Sequence, residues 1–297
     1  MRLRCVGIGE LLWDDLPAGR QLGGAPANFA YHTGALGASA AVVSRVGADR
    51  AGRLLRERLQ VLGISPAAVE LDRSAPTSTV SVDLGADGQA RYVIREDVAW
   101  DHLAGDAEGR LAVVHANALC FGSLAQRHPV ARASIHRLLE LADPAALRIF
   151  DVNLRQHYYS REIIADSLAR ANVLKVNETE LPVLADMFGL PAADRAAVTE
   201  LAARHALRAV VYTRGARGCL VLADGAWVDH PGRSVEVADT VGAGDSFTAA
   251  FAMGLLRGWP LAEVVERAIG ISAYVCTQRG ATPTIPDELR APYLAAA

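Results

Sequence analysis

Short aliphatic runs alternate along the chain with longer stretches whose apolar positions recur every three to four residues. The short runs Leu3–Ile8, Ala41–Val46, Leu147–Val152, Val173–Val176 and Ala209–Thr213 predict buried strands. The longer ones predict helices over Asn28–Leu36, Gly52–Leu62, Val130–Leu141, Ile163–Arg170, Glu180–Phe188, Ala196–Ala206, Ser246–Arg257 and Leu261–Thr277. Strand–helix alternation of this kind implies a parallel sheet covered by helices on both faces. One region breaks the rhythm. Thr79–Leu84 and Ala90–Arg95 each have one polar face, and Gly85–Gly88 supplies a turn between them. A hairpin inserted in an α/β chain has the shape of a lid, and equally of a surface decoration. Leu11–Leu22 is expected to add lid strands. There is no internal repeat, linker or low-complexity tract, and the tail Ala295–Ala297 is expected to fray.

Composition narrows the class. A chain of 297 residues that is 51% hydrophobic can bury one large core, or one core with a small appendage. A net charge of −3 with no basic block leaves no nucleic-acid footprint. Cys5, Cys120, Cys219 and Cys276 are far apart and form no CxxC pair, which suits reduced thiols in a reducing compartment. The N-terminal apolar run is interrupted by Glu10 and closed by Asp14 and Asp15, unlike a secretion signal, and no stretch approaches a membrane span. The expectation is a cytoplasmic globular protein. Lys175 is the only lysine, and it lies in LKVNE; a Walker A loop, GxxxxGK[ST], is therefore excluded, and any Schiff-base chemistry would have to use this residue.

The most informative stretch is SVEVADTVGAGDSFTAAF, Ser234–Phe251. An alternating strand is expected to lead into Asp239-Thr240, followed by the tight turn Gly242-Ala243-Gly244-Asp245 and an apolar helix. Gly242 and Gly244 let the backbone turn and approach a ligand. The N–H groups of Ala243, Gly244 and Asp245 would then face outward at the positive end of a helix dipole, an anion site. A carboxylate there would repel a permanently bound pyrophosphate, and the third glycine of a dinucleotide GxGxxG is replaced by Phe247. It suits a phosphoryl group in transit, because it can take the proton of an attacking hydroxyl while the amides offset charge. Asp245 taken alone would also fit a helix N-cap.

DTVGAGDSF resembles the C-terminal signature D-T-x-G-A-G-D of the ribokinase-like (PfkB) carbohydrate kinases at every fixed position. The resemblance implies Asp245 as catalytic base and Gly242, Ala243, Gly244 and Asp245 as the anion hole. It also implies a ribokinase-like three-layer α/β/α fold with a mostly parallel central sheet and a small β-sheet lid. That fold would make one kinase domain over 1–297, with lid strands from about 11–22 and 79–97. The N-terminal half, GELLWDDLPAGRQLGGAPANFAYHTGALG, resembles the same family's sugar-binding signature G-G-x-x-x-N, and its wording is similar to the fructokinase branch. Asp14, which can accept from two hydroxyls at once, Gly24 and Asn28 are then implied sugar contacts. Each also has an ordinary reading: a loop carboxylate, a strand-to-helix turn, a helix N-cap. In the lid segment RYVIREDVAWD, Arg95 is the implied substrate contact, with Arg91 as the rival; fructokinases often read F-x-R or Y-R there, so this segment departs from the branch pattern.

Asp151-Val152-Asn153-Leu154-Arg155 follows a strand, where α/β sheets place ligands. By the resemblance, Asn153 and Arg155 lie near phosphates and sugar. Asn177 and Glu180 resemble N-x-x-E, which orders Mg²⁺ through waters; the same pair fits a capping arrangement. Thr213-Arg214-Gly215-Ala216-Arg217-Gly218 resembles the T-x-G-x-x-G turn that lines the nucleotide, with Thr213, Gly215 and Gly218 as contacts, joined by Thr240, Gly242, Gly244 and Gly280. In some members the Gly280 loop and Asp239 hold a monovalent cation, K⁺. The implied activity is transfer of the γ-phosphoryl of ATP to a sugar, with fructose leading and 2-keto-3-deoxygluconate or ribose following; a homodimer through the lid is a further implied partner. Two rivals come from other classes. A nicotinamide-dependent oxidoreductase could use Gly7-Ile8-Gly9, although Leu12 replaces the third glycine, and a non-catalytic sugar-binding regulator could share the fold. No HExxH, Cys/His or GxSxG motif is present.

Overall fold

The computed structural model describes residues 2–16, 19–84 and 90–295, with side chains left aside at 16, 82–84 and 90–92. In chain order the strands are β1 (Arg4–Ile8), β2 (Leu12–Leu16), β3 (Gly19–Gly23), β4 (Ser39–Gly47), β5 (Val69–Asp72), β6 (Ser78–Leu84), β7 (Ala90–Ile94), β8 (Ala118–Phe121), β9 (Leu147–Asp151), β10 (Val173–Asn177), β11 (Ala209–Thr213), β12 (Cys219–Ala223) and β13 (Ala226–His230). The helices are α1 (Ala25–Ala35), α2 (Arg50–Val61), α3 (Ala107–Val114), α4 (Pro129–Glu140), α5 (Arg161–Arg170), α6 (Glu180–Phe188), α7 (Asp194–Arg204), α8 (Ala243–Leu256), α9 (Leu261–Cys276) and α10 (Asp287–Leu294).

Nine strands form one sheet in the order β13-β12-β11-β10-β9-β8-β1-β4-β5. From β5 to β11 neighbours run parallel; β12 and β13 are antiparallel additions. All five aliphatic runs singled out above lie in this sheet. Their residues alternate between two cores. On β10 and β11, Val173, Ala209 and Val211 join the core under α1, α8, α9 and α10, while Leu174, Val176, Val210 and Tyr212 join the core under α3 to α7. Burial on both faces is why these strands read as continuous apolar runs.

The second sheet has the order β3-β2-β6-β7, in which β2 and β6 are parallel and the other two pairings antiparallel. The two segments expected to form a lid therefore share one sheet. The turn Gly85–Gly88 lies outside the described residues except for its backbone neighbours, as does the end of the alanine tail. Strands β5 (VELD), β8 (ALCF) and β13 and helices α3 and α10 were not expected; β5 and β8, with four residues each, are too short to establish a period.

Two expectations are corrected. Ser234–Ala238 forms no strand, because its alternating side chains have no ladder beside them; Ala238 and Asp239 N–H both donate to the Cys276 carbonyl instead, at 2.9 and 3.2 Å. Helix α1 begins at Ala25 rather than Asn28, with Gly24 as its N-cap at φ 109° and Pro26 in its first turn. Its seat on the sheet depends on Gly7: a Cβ there would lie 2.0 Å from the Pro26 carbonyl oxygen. Helix α8 is held by Phe247 and Phe251, stacked at 6.1 Å in the core it shares with α1 and α9. Phe247→Ala is expected to cost about 3–5 kcal/mol of stability, the usual range for truncating a buried aromatic, measured by urea unfolding.

Candidate active site

The mouth of α8 is shaped by a left-handed residue followed by free amides. Gly242 is the N-cap at φ 77°, and a Cβ there would lie 2.7 Å from Ala281 Cα. The Ala243 N–H donates to the Thr240 carbonyl at 3.3 Å, so it closes the turn instead of facing outward as the sequence suggested. The N–H groups of Gly244 and Asp245 have no acceptor among the described residues. They leave unpaired donors at the positive end of a helix, a mouth suited to an anion. Asp245 is the third residue of α8 and makes no cap hydrogen bond, so its N-cap reading fails. Its Oδ2 accepts from Asn28 Nδ2 at 2.8 Å. Burial, with the negative charge of Asp151 beside it, pushes its carboxyl up to about 6, against the pull of Asn28, Lys175 and Arg155.

The opposite wall comes from α1 and the small sheet. Asn28 lies inside α1, buried, and so is no cap; its Oδ1 has no partner among the described residues. Asp14 stands on β2, packed where a Cβ on Gly23 would meet its Oδ2, and burial pushes its carboxyl up to about 6. Gly24 sits against the Glu10 carbonyl. Glu10 is a site residue that motif reading missed. It is 3% exposed, its Oε2 lacks a partner among the described residues, and burial pushes it up to about 7. The signal was an acid placed directly after a buried strand. Arg155 is exposed, and its charge holds down Glu10, Asp14 and Asp245 alike. Asn153 beside it has φ 43°, an uncommon backbone for a non-glycine residue. Arg95 follows β7 and its exposed side chain bonds to none of the described residues; its carbonyl accepts from Arg127 Nη2. The Arg91 side chain lies outside the described residues.

Beneath the mouth, β9 and β10 present an ion pair. Asp151 and Lys175 are register partners, buried at 3% and 7% exposure, with Nζ 3.0 Å from Oδ1. Thr248, one turn into α8, lies 3.2 Å from Asp151 Oδ2 and 2.9 Å from the Gly244 carbonyl. Lys175 is held charged by Asp151, Glu180 and Asp245 against the cost of burial, which makes it unsuited to Schiff-base chemistry.

The remaining expected contacts lie in two caps, a hairpin and a loop junction. Glu180 is buried; its two oxygens accept from the N–H groups of Leu154 (3.0 Å) and Asn177 (2.9 Å), and Asn177 Oδ1 accepts from Thr179 and Glu180 N–H. Both residues thus serve as caps. The turn from Thr213 to Gly218 is a hairpin between β11 and β12, and Arg217 ties it to Glu178 at 2.7 Å. Asp239 joins two loops: Oδ1 accepts from Val241 N–H and Oδ2 from Gly280 N–H, at 3.1 and 3.0 Å. Helix α1 reaches the same loop through Tyr31, which donates to the Pro283 carbonyl at 2.9 Å, and through His32, whose Nε2 is 2.9 Å from the Ala281 oxygen.

Groups suited to hydroxyls on one wall face an amide-lined mouth on the other, an arrangement compatible with a kinase acting on a sugar. Comparison with known proteins agrees. The pattern described as pfkB family carbohydrate kinase matches residues 18–288, and the chain belongs to that family. It is 30% identical to Fructokinase-1 of Oryza sativa subsp. japonica over 310 aligned residues, covering 96% of this chain and 95% of the rice protein. An uncharacterized sugar kinase from Pyrococcus horikoshii superposes with TM-score 0.81 at 26% identity, covering 98% of this chain and 99% of the other, and has also been solved in complex with ATP. Fructokinase with bound ATP from Xylella fastidiosa, at 22% identity, TM-score 0.80 and 97% coverage of each chain, speaks to the fold. The fold is ribokinase-like. No helix among the described residues is long and apolar enough to cross a membrane.

The raised carboxyl of Asp245 carries a stability consequence. A folded-state value of about 6 against an ordinary 3.8 means the native state binds more protons between those values. Stability contributed by this group is therefore lost as pH rises through that window. Asp245→Asn is expected to melt at a higher temperature than the unchanged protein above pH 6, with the difference shrinking toward pH 4, as read by thermal scans at both ends.

Proposed function

We propose that this carbohydrate kinase transfers the γ-phosphoryl group of ATP to a sugar hydroxyl, with fructose as the leading acceptor. One observation carries the reading: a half-buried carboxylate stands in the amide mouth of α8 and is bonded to Asn28 of the opposite wall. A carboxyl near 6 is mostly ionised at neutral pH yet basic enough to accept a proton, the range in which general bases work well. The kinship with rice Fructokinase-1 supports fructose, and the Pyrococcus sugar kinase–ATP complex supports ATP.

In this reading Asp14, Gly24 and Asn28 hold the sugar, and Asp245 takes the proton of the attacking hydroxyl. That oxygen bonds to the γ-phosphorus as the bridging bond to the β-phosphate breaks, and ADP leaves. The Gly244 and Asp245 amides, with Arg155, offset charge on the transferring group. The small sheet excludes water over the sugar. Thr213, Gly215, Gly218, Thr240 and Gly280 line the nucleotide. The described residues contain no group of three or more His, Cys, Asp or Glu side chains that could hold a metal. Mg²⁺ would arrive on the triphosphate, with Asn177 and Glu180 meeting it through water; when bound it would neutralise phosphate charge. The Asp239–Gly280 junction is the proposed monovalent-cation site, and the edge strands β3 and β7 are where a second copy would pair.

Turnover of ATP against a panel of fructose, 2-keto-3-deoxygluconate, ribose and other ketoses tests the reading by ADP release. Fructose is expected to give the highest kcat/KM, and no ADP above the sugar-free rate with any of them would reject it. Asp245→Asn is expected to lower kcat by roughly 10²–10⁴-fold while nucleotide binding persists, the usual scale for a general base.

A further inference from the structure

We propose that Lys175 is a positioning residue of the phosphoryl site: held by Asp151 against the backbone of Gly244, its ammonium seats the first turn of α8 and sets a permanent positive charge behind the amide mouth. The inference rests on the kinase reading and extends it to a residue that no motif assigns.

Three observations carry it. Alternation along β10 turns Lys175 toward the core of α1 and α8, opposite to Leu174 and Val176. A Cβ on Gly244 would lie 3.0 Å from Lys175 Nζ, and Gly244 has no left-handed backbone. A side chain at 244 would therefore crowd the ammonium, whereas the turn itself makes no demand for glycine there. Finally, the Thr248 hydroxyl, with one proton to donate, lies within hydrogen-bonding distance of both Asp151 Oδ2 and the Gly244 carbonyl, so the ion pair sits directly beneath the first turn of α8. Among the described residues Asp151 is the only hydrogen-bond partner of Nζ, an ammonium with three donors.

Stability does not account for the arrangement. Buried ion pairs are often replaceable by apolar side chains at no loss, because two desolvated charges cost about what their attraction returns. A fixed cation beside the amides, by contrast, favours negative charge arriving at the mouth, and preorganised charge of this kind costs no rearrangement during transfer. It also acts on Asp245. Around that carboxylate, Asp151 and Glu10 disfavour ionisation, whereas Lys175, Arg155 and the Asn28 bond favour it.

Because Lys175 is the only lysine, ¹⁵N-lysine labelling gives one side-chain resonance. On addition of a non-hydrolysable ATP analogue with D-fructose that resonance is expected to move while staying in the charged range; an unmoved resonance overturns the proposal. Lys175→Met is expected to lower kcat about 10²-fold, as for loss of one preorganised donor, with a smaller change in KM for ATP. It should also shift the acid limb of kcat/KM to higher pH. The double variant Lys175→Met/Asp151→Asn removes the orphaned carboxylate and should recover thermal stability but not kcat. Full kcat in a folded double variant, or an unshifted acid limb in Lys175→Met, overturns the proposal. An unchanged protein that makes no ADP from any sugar would instead sink the kinase reading itself.

Discussion

The site depends on one constraint: a half-buried carboxylate is held at a helix mouth whose amides favour negative charge. The two halves of that arrangement oppose each other. Burial and Asp151 push Asp245 toward its neutral form, while Asn28, Lys175, Arg155 and the helix end draw it toward the ionised form. The result is a carboxyl held near 6. If the amides served a permanently bound anion, a carboxylate in their midst would only weaken binding. If they serve a group in transit, the same carboxylate has a task.

The scaffold explains how the opposing groups reach one point. The carboxyl edge of the parallel strands presents Asp151 and Lys175, and α8 sets Asp245 above them. Helix α1 crosses beside α8 because Gly7 lets Pro26 approach β1 closely, and this brings Asn28 to Asp245. The same helix anchors the Ala281–Pro283 loop through His32 and Tyr31. The Asn28–Asp245 bond and the Ala281–Pro283 loop are thus fastened to one helix.

Much of this was legible in the chain. Strands buried on both faces appear as unbroken aliphatic runs, which is why β1, β4, β9, β10 and β11 could be read directly. The glycines of GAGD marked the tight turn that opens α8. What could not be read depends on non-local packing. Ser234–Ala238 alternates like a strand but lacks a neighbour, a fact no local pattern contains. β8 is too short to have a period. Glycine at 242 answers to a left-handed backbone, yet glycine at 244 borders a lysine about seventy residues away in sequence, and the two look identical in a motif. Glu10 and Lys175 were visible as an acid after a strand and a solitary lysine, but their burial and partners were not.

The most direct measurement is a crystal structure of the ternary complex with a non-hydrolysable ATP analogue and D-fructose. The account predicts the terminal phosphate within hydrogen-bonding distance of the Gly244 and Asp245 amides, and one sugar hydroxyl between that phosphate and the Asp245 carboxylate. A terminal phosphate bound away from α8, or a sugar whose hydroxyls all face away from Asp245, would contradict it.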